Sequence, residues 1–242
     1  MKKIAFYVEG QTEQFFINKL LIEIAGKKNI EIELQKFQGV GRPVKSIYPK
    51  TTAQPQDPQH FALIFDCVGD GGVKSRILQD AGSLFNQGYS EVVGLRDLYP
   101  LLLTDLSRFE NELNYGTVRN ERTIIPPLPN GTSIVIAVRE IEDWFLAECY
   151  HYGYISTSLV LDSTQIANLG FNPCSDDLTL RGGSAAHDLK TVYELARETY
   201  KKTKNKIERT VECLDYANLY INIRYRISKL NELITKIDNF LT

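Results

Sequence analysis

At 242 residues, with 43% apolar and 24% charged side chains, the chain has ordinary globular composition and enough apolar content to bury one large core, or one core with a helical appendage. A formal net charge of −2 excludes a global pull toward nucleic acid, so holding phosphate would need a local basic patch or a metal ion. No stretch approaches the roughly 20 apolar residues of a membrane span, and the opening MKKIAFYVEG is interrupted by Glu9 too early for a signal peptide, so we expect a cytoplasmic protein. Cys67, Cys149, Cys174 and Cys213 show no CxxC spacing, which argues against structural zinc and reads as isolated reduced thiols.

Ile4 to Val8 is a compact apolar run of β-formers, short enough to be one buried strand ending at Glu9 and Gly10. Thr12-Glu13 then opens an amphipathic helix whose stripe is Phe15, Phe16, Ile17, Leu20, Leu21 and Ile24. Ile30 to Phe37 alternates with the period of a strand. Gln38 to His60, with Gly39 to Pro43 and a Thr/Gln/Pro-rich stretch from Lys50 to Gln59, reads as a surface loop. Phe61 to Phe65 is a central strand ending at Asp66, followed by the turn Cys67 to Gly72 and a helix over Val73 to Phe85. Glu91 to Leu95 is a strand ending at Arg96-Asp97, and Pro100 is expected to start a helix with Leu101 to Leu106 on its apolar side. Thr123 to Leu128 is broken by prolines, Ser133 to Val138 is another buried strand, and Glu140 to Cys149 reads as an amphipathic helix.

Strands alternating with helices predict a mostly parallel α/β sheet over residues 1–150. Residues 151–242 are expected to form a helical C-terminal extension, entered through the Gly-rich linker Leu178 to Ser184. Each buried strand runs into acid: Glu9, Asp66, Asp97, then Glu140 and Glu142. Open α/β sheets place ligands at the carboxyl ends of their strands, and bare carboxylates gathered there repel one another unless a hard divalent cation such as Mg²⁺ or Mn²⁺ joins them. Acids that merely cap helices are the plainer alternative.

Val8-Glu9-Gly10-Gln11-Thr12-Glu13 resembles the first motif of Toprim domains. Phe65 to Gly72, Val93 to Pro100 and Ile136 to Ala147 are similar to segments of small stand-alone Toprim-like bacterial proteins of unknown function related to the OLD-family nucleases, with a weaker echo at Tyr200-Lys201-Lys202-Thr203. The resemblance implies a Toprim-like (Rossmann-like) fold and Mg²⁺- or Mn²⁺-dependent phosphodiester chemistry on DNA or RNA, possible service in phage defence, and a defence-system partner protein or a second copy as candidate partners. Carried over by position, Glu9 and Glu13 match the acids of the first motif and Asp97 the first acid of an Asp-x-Asp pair. The second acid of that pair is replaced by Tyr99, so Asp66 or Glu142 would supply the missing ligand. Glu142 resembles a later helix-borne acid, with Glu140 competing. If both were helical they would point about 200° apart and could not face one metal. Glu9 is the candidate general acid or base, and Lys202 the cation facing phosphate, with Lys190 and Arg96 behind it. Loss of the second Asp leaves a non-catalytic nucleic-acid- or protein-binding module as the alternative.

Gly69-Asp70-Gly71-Gly72 lacks the GKS/T of a P-loop and reads as an ordinary strand–helix turn. Arg181-Gly182-Gly183 reads as linker. The cluster of Tyr216, Tyr220 and Tyr225 with Arg224 and Arg226 reads as core packing with snorkelling arginines rather than a single-strand binding surface.

Overall fold

The computed structural model describes residues 1–36, 50–69, 71–120 and 123–242, so the Gly39–Pro43 motif and Asp70 lie outside the described residues. In chain order the elements are β1 (Lys2–Val8), α1 (Gln11–Ala25), β2 (Ile30–Lys36), β3 (Lys50–Ala53), β4 (His60–Asp66), α2 (Gly72–Asn86), β5 (Tyr89–Asp97), α3 (Leu106–Tyr115), β6 (Thr117–Asn120), β7 (Thr123–Ile125) and β8 (Thr132–Ala137). Seven helices follow: α4 (Glu142–Ala147), α5 (Tyr152–Ile155), α6 (Ser163–Leu169), α7 (Ala185–Glu194), α8 (Lys204–Cys213), α9 (Tyr216–Ile221) and α10 (Ser228–Leu241). The chain forms two compact units, one of Met1–Arg96, Thr104–Ile136 and Thr235–Thr242, the other of Asp97–Leu103 and Ala137–Ile234.

The first unit is organised on a six-stranded sheet of order β3-β2-β4-β1-β5-β8. β1 runs parallel to both its neighbours, with Val8 opposite Asp66 of β4 and Leu95 of β5, so β1 and β4 finish together and β5 runs two residues further, to Asp97. β2 is parallel to β4 and antiparallel to the short β3 on its other side. The sheet is thus mostly parallel and flanked by helices, as its continuous apolar runs require, because strands buried on both faces cannot alternate with polar residues. Ile4, Phe6, Ile64, Val93 and Ile134 are buried, and Phe16, Ile17, Leu20 and Leu21 of α1 bring a buried helical stripe of the same unit. α2 buries Val73, Ile77, Ala81 and Leu84, one per turn. Gly94 on β5 is required by this packing: a Cβ there would meet Ile134 Cγ1 at 2.7 Å and Val73 Cγ1 at 2.9 Å.

Three expectations need correction. Lys50–Ala53 is not loop but the edge strand β3, pairing with β2. Its sequence, KTTA, carries no apolar alternation because an edge strand of four residues buries little. No helix starts at Pro100: the Tyr99–Pro100 peptide is cis, Leu101 N–H bonds to Leu98 O at 2.9 Å, and α3 begins only at Leu106 after a 3₁₀ turn. Leu101, Leu102 and Leu103 are accordingly exposed rather than buried. Cys149 and Cys174 are not free thiols but a disulfide closing 25 residues, with Cα atoms 5.7 Å apart, whereas Cys67 and Cys213 are free. Nothing in their spacing marks the pair, because proximity is set by how the second unit folds.

In that unit, α4 is buried along its whole length and α7 buries Ala185, Leu189, Val192 and Tyr193. The stretch from Leu178 to Ser184 is more than a linker: Leu178 is buried in a 3₁₀ turn, and Arg181 stacks on Phe171 at 3.7 Å and pairs with Asp188. Tyr216 is buried, and Arg224 is buried with its guanidinium over the rings of Tyr220 and Tyr225, but Tyr225 and Arg226 are exposed, so the packing reading holds for only part of that cluster. Among the described residues, no helix is long and apolar enough to cross a membrane.

Candidate metal centre

β8 delivers its acids through a strained turn. Arg139, two residues past the strand, has φ 61°, a left-handed conformation uncommon for a side-chain-bearing residue. Its buried guanidinium over-determines that geometry, donating to Leu178 O (3.1 Å), Gly183 O (3.2 Å), Asp143 Oδ1 (3.2 Å) and Asp188 Oδ2 (2.6 Å). The turn sets Glu140 outside the helix, since α4 begins at Glu142. The opposed directions expected of residues 140 and 142 on one helix therefore do not apply, and both carboxylates join one cluster.

That cluster is Asp97, Glu140 and Glu142, all buried, each with one ligand oxygen within 4.8 Å of the others'. Asp97, at the end of β5, is tied to the turn by Ile141 N–H on Oδ1 at 3.0 Å. Glu140 Oε2 accepts the Ser184 hydroxyl and, at 3.0 Å, the Ala186 N–H, both from the start of α7. Glu142 is wholly buried: Tyr200 Oη donates to its Oε1 at 2.8 Å, and its Oε2 has no hydrogen-bond partner. Lys202 supplies the opposing charge, with Nζ 3.0 Å from Glu140 Oε1 and 3.3 Å from Glu142 Oε1 on a partly exposed side chain. It precedes α8 and so is not on a helix face.

The two glutamates are driven apart. Burial alone would raise Glu140, but the Ser184 hydroxyl, the Ala186 N–H and Lys202 outweigh it and hold the carboxyl below its ordinary range. Burial raises Glu142, with the Glu140 charge adding to it and Lys202 opposing. Burial likewise pushes Asp143 up to about 8 against the pull of Arg139, and Asp143 Oδ2 is a second buried oxygen without a partner. Lys202 is held well above the usual lysine range: burial disfavours its charge, but Glu142, Asp97 and Glu140 together prevail. Three oxygen ligands with a single ammonium among them keep an excess of negative charge, the donor set that hard divalent cations prefer. The cluster is chemically able to hold a metal ion.

The remaining acids singled out from sequence belong to the first unit. Glu9 follows β1 and accepts Arg96 Nε on Oε1 at 2.7 Å, and Arg96 itself lies over the Phe109 ring. Glu13 is buried in the first turn of α1. Asp66 closes β4, accepts the Val68 N–H on Oδ1 at 2.9 Å, and is raised chiefly by burial. Among the described residues, Glu9, Glu13 and Asp66 form no three-ligand group of their own. Lys190 pairs with Glu194 at 3.5 Å on α7.

Two members of the centre had little signal in the sequence. Ser184 was legible as a helix cap, since its hydroxyl also accepts the His187 N–H, but not as a partner of Glu140. Tyr200 is visible beside Lys202 in the Tyr-Lys-Lys-Thr string, yet its bond to Glu142 spans 58 residues. No protein-family model, curated protein or solved structure matches the chain.

Proposed function

We propose that Asp97, Glu140 and Glu142 hold a divalent cation of the Mg²⁺ or Mn²⁺ kind and that the chain hydrolyses phosphodiesters of DNA or RNA. The observation that carries this reading is the grouping of three buried carboxylates, each with one oxygen within 4.8 Å of the others', one of which, Glu142, has an oxygen, Oε2, without a partner. An unsatisfied buried polar group costs about 1–3 kcal/mol, more when charged, and a hard cation would remove that cost. Such an ion, when bound, would acidify a coordinated water and draw charge from a phosphoryl oxygen. The chain's own residues would do the rest. Glu140, anchored by Ser184 and Ala186, keeps its charge in place; Tyr200 orients Glu142; Lys202, partly exposed, is placed to meet phosphate. The resemblance to Toprim domains at Val8 to Glu13 and around Asp97 supports the same chemistry, and Glu9→Gln tests whether that first motif takes part.

The deciding experiment pairs Mn²⁺ calorimetry with cleavage assays on single- and double-stranded DNA and RNA. One saturable binding event, lost in Asp97→Asn and Glu142→Gln together with at least about a hundredfold of the cleavage rate, is the expected result. A wild-type protein that neither binds Mn²⁺ nor cleaves any of these substrates overturns the proposal. A second reading is favoured by the position of Lys202: its ammonium already bridges Glu140 and Glu142, so the cluster would be a closed ion pair in a non-catalytic binding module. Under that reading Lys202→Met lowers stability, and Mn²⁺ gives no heat.

A further inference from the structure

Lys202 is itself a cation seated on the candidate centre. Its Nζ lies 3.0 Å from Glu140 Oε1 and 3.3 Å from Glu142 Oε1, and the charge of Asp97 acts on it as well. An ammonium carries three N–H donors, so two carboxylates leave it one for a group from outside. The side chain also reaches solvent: 44% of it is exposed, against 8% for Glu140 and 0% for Glu142. An ion arriving from water therefore meets Lys202 first. The backbone of Lys202 belongs to no helix or strand and lies in a turn closed by the Thr203 N–H on Lys201 O at 2.7 Å. Arg139 of the same unit makes the contrast, with a side chain 6% exposed and a guanidinium bonded to Leu178, Gly183, Asp143 and Asp188. That cation is fixed from every side; Lys202 is a point charge on a flexible stem.

We propose that Lys202 is a resident cation which a divalent ion displaces from Glu140 and Glu142, and that the displaced ammonium then receives a phosphodiester anion, so that metal and nucleic-acid backbone bind cooperatively. The premise is the reading of Asp97, Glu140 and Glu142 as a metal centre. Like charges a few ångströms apart repel, most strongly away from bulk water, so ammonium and divalent cation do not both stay on the two glutamates. Before displacement the carboxylates neutralise Lys202, which offers little to an anion. After it an uncompensated ammonium stands beside the centre, and the single negative charge of a phosphodiester satisfies it. Each ligand then raises the affinity for the other by the same factor. The closed ion pair and the metal-holding centre become two states of one cluster, and the grip on nucleic acid stays off until metal arrives.

Calorimetry on the full-length protein at pH 8 tests both halves, with Mn²⁺ as the metal, dimethyl phosphate as the anion, and ionic strength held constant with sodium chloride. Lys202→Met keeps the length of the side chain and removes its charge. It should bind Mn²⁺ at least about tenfold more tightly than wild type. Dimethyl phosphate should tighten Mn²⁺ binding to the wild type by at least about fivefold and leave the variant unchanged. Equal or weaker Mn²⁺ binding by the folded variant, or an equal effect of dimethyl phosphate on both proteins, overturns the inference and leaves Lys202 a fixed ion pair. Should circular dichroism show the variant unfolded, a crystal structure of the Mn²⁺-bound wild type decides. Nζ withdrawn from both glutamates supports displacement, and Nζ still bonded to either overturns it. The two readings fail separately. Mn²⁺ bound alike by both proteins overturns displacement alone, whereas the full coupling without cleavage of any nucleic acid overturns hydrolysis alone. Mn²⁺ bound only by the variant shows the lysine as the competitor and overturns hydrolysis, and no Mn²⁺ binding by either protein overturns the metal centre and displacement together.

Discussion

Glu148 is held by four N–H donors of the second unit. Its Oε1 accepts the Tyr150 N–H at 3.0 Å and Asn218 Nδ2 at 2.9 Å, while Oε2 accepts the His151 and Asp215 N–H groups, each at 3.1 Å. Burial would raise this carboxyl, but the bonds from His151, Asn218 and Asp215 outweigh it and hold it below its ordinary value. A depressed folded-state pKa gives stability that is present above the unfolded value of about 4.5 and lost as pH falls through the folded one. Urea denaturation from pH 7 to pH 3 should therefore show an acid-side decline that is shallower in Glu148→Gln. At pH 7 the variant should be less stable by about 1.5–3 kcal/mol, the value of hydrogen bonds to a charged group. An unchanged acid limb would remove Glu148 from this role. In sequence Glu148 is merely the last acid of a helix; its function depends on Asp215 and Asn218, which the fold brings to it over 67 and 70 residues.

At the scale of elements, the disulfide joins the residue just past α4 and Glu148 to the turn before Leu178. Closing a loop of 25 residues restricts the unfolded chain by about 3 kcal/mol in the entropic account. The double variant Cys149→Ser/Cys174→Ser, and the dithiol-reduced wild type, should each lose roughly that amount in denaturant unfolding, and reduction of the variant should change nothing further. What sequence made legible here follows from local physics. Ile4 to Val8, Phe61 to Phe65 and Ser133 to Val138 announce β1, β4 and β8 because buried parallel strands are continuous apolar runs. β3 could not be read from KTTA, since its pairing comes from β2, and α3 could not be placed from Pro100, since the chain turns there instead. The start of α4 was misread by two residues, and that small error decided whether Glu140 and Glu142 were seen as partners. The acids themselves were visible; their grouping was not, because a left-handed Arg139 has no compositional signature.

For the molecule as a whole, the candidate centre exists only in the folded chain: Asp97, Glu142 and Lys202 are distant in sequence and converge through packing. Any cation they hold must then stabilise the native state by mass action, by about 2.7 kcal/mol at a hundredfold excess over its dissociation constant. Thermal unfolding with Mn²⁺ should rise in the wild type and not in Asp97→Asn, a readout independent of any cleavage; equal shifts in both would place the ion elsewhere.

The chain also passes between its two units more than once, leaving the first after Arg96, returning at Thr104, leaving after Ile136 and returning at Thr235. The returning end of α10 is bonded into the oldest part of the chain: Lys236 pairs with Glu91 at 2.8 Å, Phe240 sets its edge against His60 at 5.2 Å, and Lys28 reaches the Leu241 carbonyl. During synthesis the strands made first must therefore wait for residues made nearly 150 positions after Glu91 before their own unit is finished. No single cut in the chain frees either unit whole, and a ribosome-bound nascent chain lacking Thr235–Thr242 has all six strands of its sheet but not the end of α10 that bonds to Glu91 and Lys28.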